Sequence, residues 1–338
     1  MFHGFINLKK PKGWTSHDCV ARTRRLLNTK KVGHSGTLDP LATGVLPVAV
    51  GKATRLLQYL PEGKAYRATI RFGAKTTTDD LEGEVVHQVS AAHLERSHIE
   101  ALFPNFVGTL TQTPPMYSAV QVNGKRLYDL ARQGKAVEVP SRQVVIKQLH
   151  SQSWQSGEQP ELVVDIVCGP GTYIRSLARD LGEAVNTGAT LAGLVRTYSN
   201  GFEIKDSLTL EALAAAIKQK TFVPVAAGGL MEHLNAIDFP AELARRWCLG
   251  QKLSLNDVTP YLTPQITSHL EQLADTHSSI SDHESTALAQ PMPIRVMNAE
   301  SQAFLGIGEF RAGLPTVDNE TNSPLETVFA PKRVFAEL

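Results

Sequence analysis

The sequence is poor in cysteine and contains no long hydrophobic run. Its three cysteines, Cys19, Cys168 and Cys248, lie far apart and form no CxxC pair, which argues against a disulfide scaffold and a cysteine-bound zinc site. No apolar stretch reaches the roughly 18–20 residues that cross a bilayer. The first ten residues lack an apolar segment followed by a small-residue cleavage site. We therefore expect a soluble, cytoplasmic protein with no membrane association.

Signatures of metal and nucleotide binding are missing as well. The eleven histidines include no HExxH and no HxH pattern, and no GxGxxG follows a candidate strand. Asp79, Asp80 and Glu82 form an acidic cluster before Gly83, which is either a Mg²⁺ site or, as we favour, a polar turn. We expect neither a metal nor a cofactor.

Acidic residues are scarce in the first 75 residues. This region contains fourteen Lys or Arg against Asp18, Asp39 and Glu62, a net charge of +11, whereas the rest of the chain carries −10. Such asymmetry is typical of a surface that binds a polyanion, with nucleic acid as the leading candidate. The alternative is a solvated basic face without a partner.

The 338 residues, 42% of them hydrophobic, are enough for two domains at roughly 150 residues each. We place the boundary where the helical pattern ends, which gives domains at 1–230 and 236–338. Within the second domain, 257–290 holds five acidic residues and no Lys or Arg. We interpret this stretch as a flexible insertion, in which Ile266–Ala274 is a candidate short helix.

The hydrophobic pattern predicts a mixture of helices and strands. Thr15 and Asp18 form a capping-box-like helix start, and apolar residues recur at helical spacing after Gly171. Alternation from Tyr66 to Phe72 predicts a half-buried strand. Further strands are predicted at Val144–Leu149, Leu162–Cys168, Pro293–Val296, Ala303–Phe310 and Thr327–Phe335, and a further helix at Leu210–Lys218. Because strands and helices do not alternate regularly, we expect an α+β fold with a mixed sheet.

Two segments stand out as candidate sites. In the Gly- and Pro-rich loop from His34 to Val48, Asp39 is the only acid between Asp18 and Glu62. A turn former before Pro40 is the equal alternative for it. The pattern of segment 169–177 predicts a strand end, a glycine turn and a helix start. This segment carries Tyr173 and Arg175. An ordinary helix cap with an arginine salt bridge is the alternative for it.

The run GHSGTLDPLATGVLPVAVGKATR, at 33–55, resembles the catalytic motif of the TruB family of tRNA pseudouridine synthases. Six further segments match the same family in the same order, and the resemblance runs continuously over about residues 2–230. They are Lys9–Gly13, Lys64–Ala68, Met116–Ala119, Lys125–Arg132, Gly171–Arg175 and Leu191–Arg196.

The resemblance implies a pseudouridine-synthase fold over 1–230, with a mixed, largely antiparallel central sheet. Segments 304–309 and 331–335 resemble a small, β-rich PUA-like RNA-binding domain. The implied activity is isomerisation of the T-loop uridine at tRNA position 55, with the T arm of tRNA as partner and no obligate protein partner. Two rival functions are a guide-dependent synthase of a ribonucleoprotein and a non-catalytic tRNA-binding or tRNA-folding module.

The resemblance also assigns catalytic roles to three residues. Asp39 corresponds to the catalytic aspartate, and Arg175 corresponds to its partner, which would hold the carboxylate and favour its charged form. Tyr66 corresponds to a tyrosine that stacks on the base and helps to remove the C5 proton. An unperturbed tyrosine, with a pKa of about 10, is a weak base, so stacking alone is the more modest interpretation.

Four further residues are assigned to substrate binding. Tyr173 and Leu194 correspond to residues of the uracil pocket, and His34 to one that contacts the RNA near the extruded uridine. Lys10 is expected to support the site or to meet a phosphate, with a structural Lys–Pro turn as the alternative.

Overall fold

The computed structural model describes residues 2–118, 120–122, 124–127, 138–278, 292–311 and 327–335. The chain divides into two compact units. The large unit comprises Ile6–Val48 and Glu62–Val223, and the small unit comprises Met1–Phe5, Ala49–Pro61 and Pro224–Leu338. Each unit therefore combines separate stretches of the chain, and the domains at 1–230 and 236–338 stay a prediction.

The strands of the large unit's sheets are β1 (Gly4–Lys10), β2 (Val32–His34), β3 (Thr43–Val50), β4 (Lys64–Phe72), β5 (Ala74–Thr76), β6 (Val85–Gln88), β7 (Gly108–Gln112), β8 (Gln121–Val122), β9 (Lys125–Arg126), β10 (Arg142–Gln155), β11 (Glu161–Cys168), β12 (Ala189–Ser199) and β13 (Phe202–Glu203). The small unit adds β14 (Ala236–Phe239), β15 (Leu253–Ser254), β16 (Ile294–Asn298), β17 (Phe304–Arg311) and β18 (Val328–Val334).

The α-helices are α1 (Ser16–Leu26), α2 (Arg96–Glu100), α3 (Ile174–Ala184), α4 (Leu210–Lys218), α5 (Ala241–Cys248), α6 (Leu255–Val258) and α7 (Pro264–Ser278). Shorter 3-10 helices lie at Gly51–Tyr59, Phe103–Phe106, Ile204–Asp206, Gly229–Met231 and Thr259–Tyr261. Among the described residues, no helix has the length and apolar character needed to cross a membrane.

The central sheet of the large unit runs in the order β1-β3-β12-β4-β11-β10-β7. The β3–β12 pair is parallel, whereas β4 pairs with β11 and β12, and β10 with β7 and β11, in the antiparallel sense. The expectation of a mixed, largely antiparallel sheet in an α+β fold is confirmed.

Sequence periodicity explains which faces are buried. Along β4, residues Ala68, Ile70 and Phe72 are fully buried, and they alternate with the more exposed Arg67 and Thr69. Helix α3 packs its own apolar stripe into the same core. The strand and the helix predicted from these patterns are confirmed, because a period of two or of 3.6 residues places apolar side chains on one face.

Helix α1 starts as its sequence predicts. The Thr15 hydroxyl accepts a hydrogen bond from the Asp18 amide at 3.0 Å, and the Asp18 carboxylate accepts one from the Thr15 amide at 2.9 Å. At the first helical residue, the buried Ser16 hydroxyl accepts a hydrogen bond from the Leu38 amide at 2.8 Å. The helix start is thereby tied to the loop that follows β2.

The small unit contains a five-stranded sheet in the order β14-β16-β17-β18-β15. Its core includes the fully buried Trp247, whose indole stacks on Phe329 with ring centroids 5.2 Å apart. A β-rich domain is therefore confirmed here, while its PUA-like character stays a prediction.

The candidate short helix at Ile266–Ala274, inside the predicted insertion at 257–290, is confirmed as part of a longer helix. Residues 264–278 form α7, and Ile266 is fully buried in the core of the small unit. Apolar anchoring at one helical face outweighs the polar composition of the segment. The remainder, 279–291, lies outside the described residues.

A stability prediction follows from the close approach of α3 to the start of β12. A Cβ added at Gly182 would lie 2.0 Å from the Ala189 amide nitrogen. We expect Gly182→Ala to lower the free energy of unfolding by about 1–3 kcal/mol, because the backbone must move apart. Gly193→Ala, where the nearest side-chain atom is 3.5 Å away, is the matched control. Equal unfolding midpoints for both variants in urea would contradict this account.

Candidate active site

A cavity of about 790 Å³ opens in the large unit. It lies between the loop after β2, the start of β4, the turn after β5 and the N-terminal end of α3. Of the residues that the sequence assigned to the site, Asp39, Tyr66, Tyr173, Arg175 and Leu194 line this cavity together. Residues more than 150 positions apart in the sequence are thus brought into one site.

The loop that carries Asp39 is held at several points. The Leu38 amide bonds Ser16, and the Arg196 guanidinium donates to the carbonyls of Gly36 and Val45 at 2.9 and 2.6 Å. Gly36 has a φ of +68°, a left-handed conformation in which a side chain would be strained. The position of Asp39 is therefore fixed by the surrounding structure.

Lys10 supports this loop from beneath. Its side chain is fully buried, and its ammonium donates to the carbonyls of Pro11, Trp14 and Pro40 at 3.0, 2.5 and 3.3 Å. These contacts agree with the expectation that Lys10 supports the site, and its assignment to substrate binding stays a prediction.

Arg175 meets the Asp39 carboxylate directly. Its Nε lies 3.0 Å from Oδ2 of Asp39, and only 6% of the Arg175 side chain is exposed. The two terminal nitrogens donate to the carbonyls of Thr78 and Tyr117, each at 3.1 Å. Because every nitrogen of the guanidinium has a partner, the arginine is fixed in place and orients the carboxylate.

Asp80 is a functional-site residue that the sequence reasoning missed. Its Oδ2 lies 3.7 Å from Arg175 Nε, and its Oδ1 accepts hydrogen bonds from the Thr78 hydroxyl and the Glu82 amide at 2.5 and 3.0 Å. The cluster is a turn, as favoured, but the turn also delivers a buried carboxylate to the cavity. Within the described part of the chain, no group of His, Cys, Asp or Glu side chains is arranged to hold a metal ion.

The environment of Asp39 disfavours its ionised form. Surrounding protein atoms raise the pKa of its carboxyl, the Arg175 guanidinium opposes this shift, and the charge of Asp80 adds to it. The side chain nevertheless keeps 41% of its surface open to the cavity. Burial thus disfavours the ionised carboxylate, while its open surface remains accessible from the cavity. This combination suits reaction with a substrate atom.

Tyr66 lies beside Arg196, a fully buried residue of β12. Burial raises the pKa of the Tyr66 hydroxyl, and the Arg196 charge only partly offsets this effect. The Arg196 Nη1 atom makes no hydrogen bond of good geometry within the described residues. A tyrosine with a raised pKa is a poorer proton acceptor near neutrality, so the environment favours the stacking interpretation.

Tyr173 is held through both its backbone and its ring. The buried Gln112 side chain accepts a hydrogen bond from the Tyr173 amide at 2.8 Å and donates one to its carbonyl at 3.0 Å. The Arg142 guanidinium lies 4.6 Å from the centre of the Tyr173 ring. Together with Leu194 on β12, the ring gives the cavity an apolar wall suited to a planar base.

His34 lies outside the cavity lining. Its ring packs edge-on against His17, with centroids 5.4 Å apart, and His17 is the one of the two that lines the cavity. Burial lowers the pKa of His34 to about 4, with the nearby His17 and Arg196 adding to the shift. His34 is therefore neutral at physiological pH, and its contact with RNA stays a prediction.

Comparison with known proteins gives consistent matches. Residues 24–174 match the N-terminal domain model of the TruB family pseudouridylate synthases. The tRNA pseudouridine synthase B of Trichormus variabilis is 49% identical over 311 residues, which cover 92% of this chain and 96% of that protein. The corresponding protein of Acaryochloris marina is 56% identical over 250 residues, covering 74% and 86% of the two chains.

Solved structures share the fold at lower identity. A Cbf5 chain in a Cbf5–Nop10–Gar1 complex has a TM-score of 0.63 at 24% identity and covers 91% of this chain and 78% of its own. A chain of an H/ACA ribonucleoprotein bound to substrate RNA has a TM-score of 0.64 at 22% identity, with 99% and 86% covered. The sequence relatives, matched along nearly their whole length, decide the family: the chain belongs to the TruB family of pseudouridylate synthases.

Proposed function

We propose that this protein isomerises uridine to pseudouridine in the T loop of tRNA, at position 55, with Asp39 as the catalytic carboxylate. The observation that carries the proposal is the Asp39 side chain, open to a cavity with aromatic walls and bound by Arg175 at 3.0 Å. The relatives at 47–56% identity carry the name tRNA pseudouridine synthase B. We propose the cytoplasm as its location.

The isomerisation breaks the N1–C1′ bond of uridine and forms a C5–C1′ bond. The base loses a proton at C5 and gains one at N1, so the product has the same composition as the substrate. An ionised aspartate serves as a nucleophile towards the sugar or the base, or as a base at the sugar C2′. Each route needs a charged, oriented carboxylate, which is what Arg175 provides to Asp39.

The aromatic residues of the cavity suit the binding of an extruded base. Unstacking the target uridine costs roughly a few kcal/mol, which contacts in the pocket and to the phosphates must offset. Tyr66, Tyr173 and Leu194 supply the base contacts in this proposal. Since burial raises the pKa of Tyr66, we assign Tyr66 to stacking and leave removal of the C5 proton to another group or to solvent.

A guide-dependent activity within a ribonucleoprotein has less support. The structures of such assemblies share at most 24% identity with this chain, a level that reports the fold alone. A non-catalytic tRNA-binding module would not require the Asp39–Arg175 pair. We therefore propose that the protein acts on tRNA without a guide RNA or a protein partner.

The central test is to incubate the purified protein alone with an unmodified tRNA transcript and to map pseudouridine. We expect conversion by the wild type and a loss of several orders of magnitude in Asp39→Asn, which removes the charge and keeps the volume. Asp39→Asn should not lower the melting temperature, because the folded state disfavours the ionised carboxyl.

Asp165→Asn is the matched control, since Asp165 pairs with Arg67 at 2.8 Å on an exposed part of the sheet. It should convert tRNA at the wild-type rate. Substantial conversion by Asp39→Asn, with deamidation excluded by mass spectrometry, would overturn the assignment.

Arg175→Met should abolish most activity, because Asp39 loses its orientation. The change also leaves the buried Asp80 without its cation, and breaking a buried ion pair costs about 3–5 kcal/mol of stability. Single-turnover rates should show that the double variant with Asp39→Asn is no slower than Asp39→Asn alone, because both changes disable one catalytic unit. Additive losses would show that Arg175 acts independently of Asp39.

The pH dependence of the single-turnover rate should report the raised pKa of Asp39. The rate is expected to fall on acidification at a higher pH than an ordinary aspartate would require, because protonation of Asp39 removes the reactive charge. Asp80→Asn should move this acid limb to lower pH, since the Asp80 charge raises the pKa of Asp39. Circular dichroism at each pH separates titration from unfolding. An acid limb that Asp80→Asn leaves in place would contradict the assignment to Asp39.

A further inference from the structure

Lys64 is a cavity residue that the proposed chemistry does not use. It begins β4 and shares a face of that strand with Tyr66, two residues further on. Its side chain is half-buried and lines the cavity. Within the part of the chain that the structure describes, its ammonium forms neither an ion pair nor a hydrogen bond.

The charged surroundings of Lys64 are positive. Burial lowers the pKa of its ammonium, the charges of Arg196 and Arg142 lower it further, and Cys168 opposes this shift in part. Arg196 uses two of its nitrogens to hold the loop before Asp39. Arg142 also lines the cavity, where it donates one hydrogen bond, from Nη2 to the Gly171 carbonyl, and covers the Tyr173 ring. Lys64 and Arg142 therefore form a cationic region of the cavity wall that no carboxylate of the described residues pairs with.

The acidic residues of the cavity are grouped elsewhere. Asp39 and Asp80 share Arg175, and the pKa of Glu82 is raised by burial and by the charges of these two aspartates. A phosphate placed near these three carboxylates would be repelled. An RNA nucleotide carries a phosphate on either side of its sugar. The separation of cationic and acidic residues in the cavity therefore favours one orientation of the nucleotide.

We propose that Lys64 and Arg142 bind a backbone phosphate next to the target uridine, and so orient the nucleotide with its sugar towards Asp39. This inference rests on the proposed function, because it takes RNA as the ligand. A phosphate accepts hydrogen bonds from an ammonium and a guanidinium together, and its charge would compensate that of Lys64. The site would act by positioning the substrate, and Lys64 would take no part in the covalent steps.

The test uses a T-arm stem–loop RNA whose phosphate directly 5′ or 3′ of the target uridine is replaced by an uncharged methylphosphonate. Binding is measured in the Asp39→Asn background, so that the RNA is not converted. We expect Lys64→Met to weaken binding of the unmodified stem–loop roughly tenfold, the loss of one charged hydrogen bond. Lys64→Arg should retain most of the affinity. Lys205→Met, which removes an exposed lysine paired with Glu203, is the matched control and should bind as the parent does.

The decisive measurement is whether the loss of affinity in Lys64→Met depends on which phosphate of the RNA is neutral. On the RNA whose contacted phosphate is neutral, Lys64→Met should cause no further loss, and the position that shows this identifies the 5′ or the 3′ phosphate. The proposal is overturned if Lys64→Met binds as tightly as the parent. It is equally overturned if the variant loses the same factor on all three RNAs, which would place Lys64 against the base or another phosphate.

Two measurements separate this result from other failures. The melting temperature of Lys64→Met should be no lower than that of the parent, because removing a poorly compensated charge relieves the folded state. Conversion of unmodified tRNA by the protein with Asp39 intact is measured separately. If conversion fails while the coupling is present, the proposed function is wrong and the phosphate site stands.

Discussion

The site depends on one buried guanidinium. Arg175, on the first turn of α3, contacts the Asp39 and Asp80 carboxylates and donates to the carbonyls of Thr78 and Tyr117. These four partners come from three separate parts of the chain. A charge removed from water is tolerated only when such partners surround it, so the same contacts that stabilise the arginine also assemble the cavity around it.

Arg196 and Lys10 apply the same constraint to the loop that carries Asp39. Both cations are fully buried, and both donate to backbone carbonyls of that loop, Arg196 at Gly36 and Val45 and Lys10 at Pro40. Backbone carbonyls accept hydrogen bonds from both cations, which fixes the loop, and the charge of Lys10 also lowers the pKa of Asp39. The hydrogen bonds to the carbonyls offset part of the cost of burying these cations, and they hold the reactive group in one place.

The cavity thus combines charged partners for Asp39, an aromatic wall and a cationic edge. One flexible loop could not keep these groups at fixed positions. Arg175 and Asp80 set the charge state and direction of Asp39, Tyr173 contributes an aromatic wall, and Lys64 contributes a cationic edge. Each group is carried by a strand of the central sheet or by an element tied to that sheet. A rigid sheet therefore sets the distances between groups that meet different parts of one nucleotide.

The sequence by itself determined the local elements and the identity of the chemical groups. The alternation in β4, the capping box of Thr15 and the apolar stripe of α3 predicted their elements, because these patterns reflect interactions within a few residues. The motifs around Asp39 and Arg175 identified the family. The sequence did not reveal the role of Asp80, the buried position of Lys10 or the burial of Ile266 in the core of the small unit. Only the tertiary structure decided these, because burial and charge pairing join residues distant in the chain, and a pattern read along one segment carries no information about its partners.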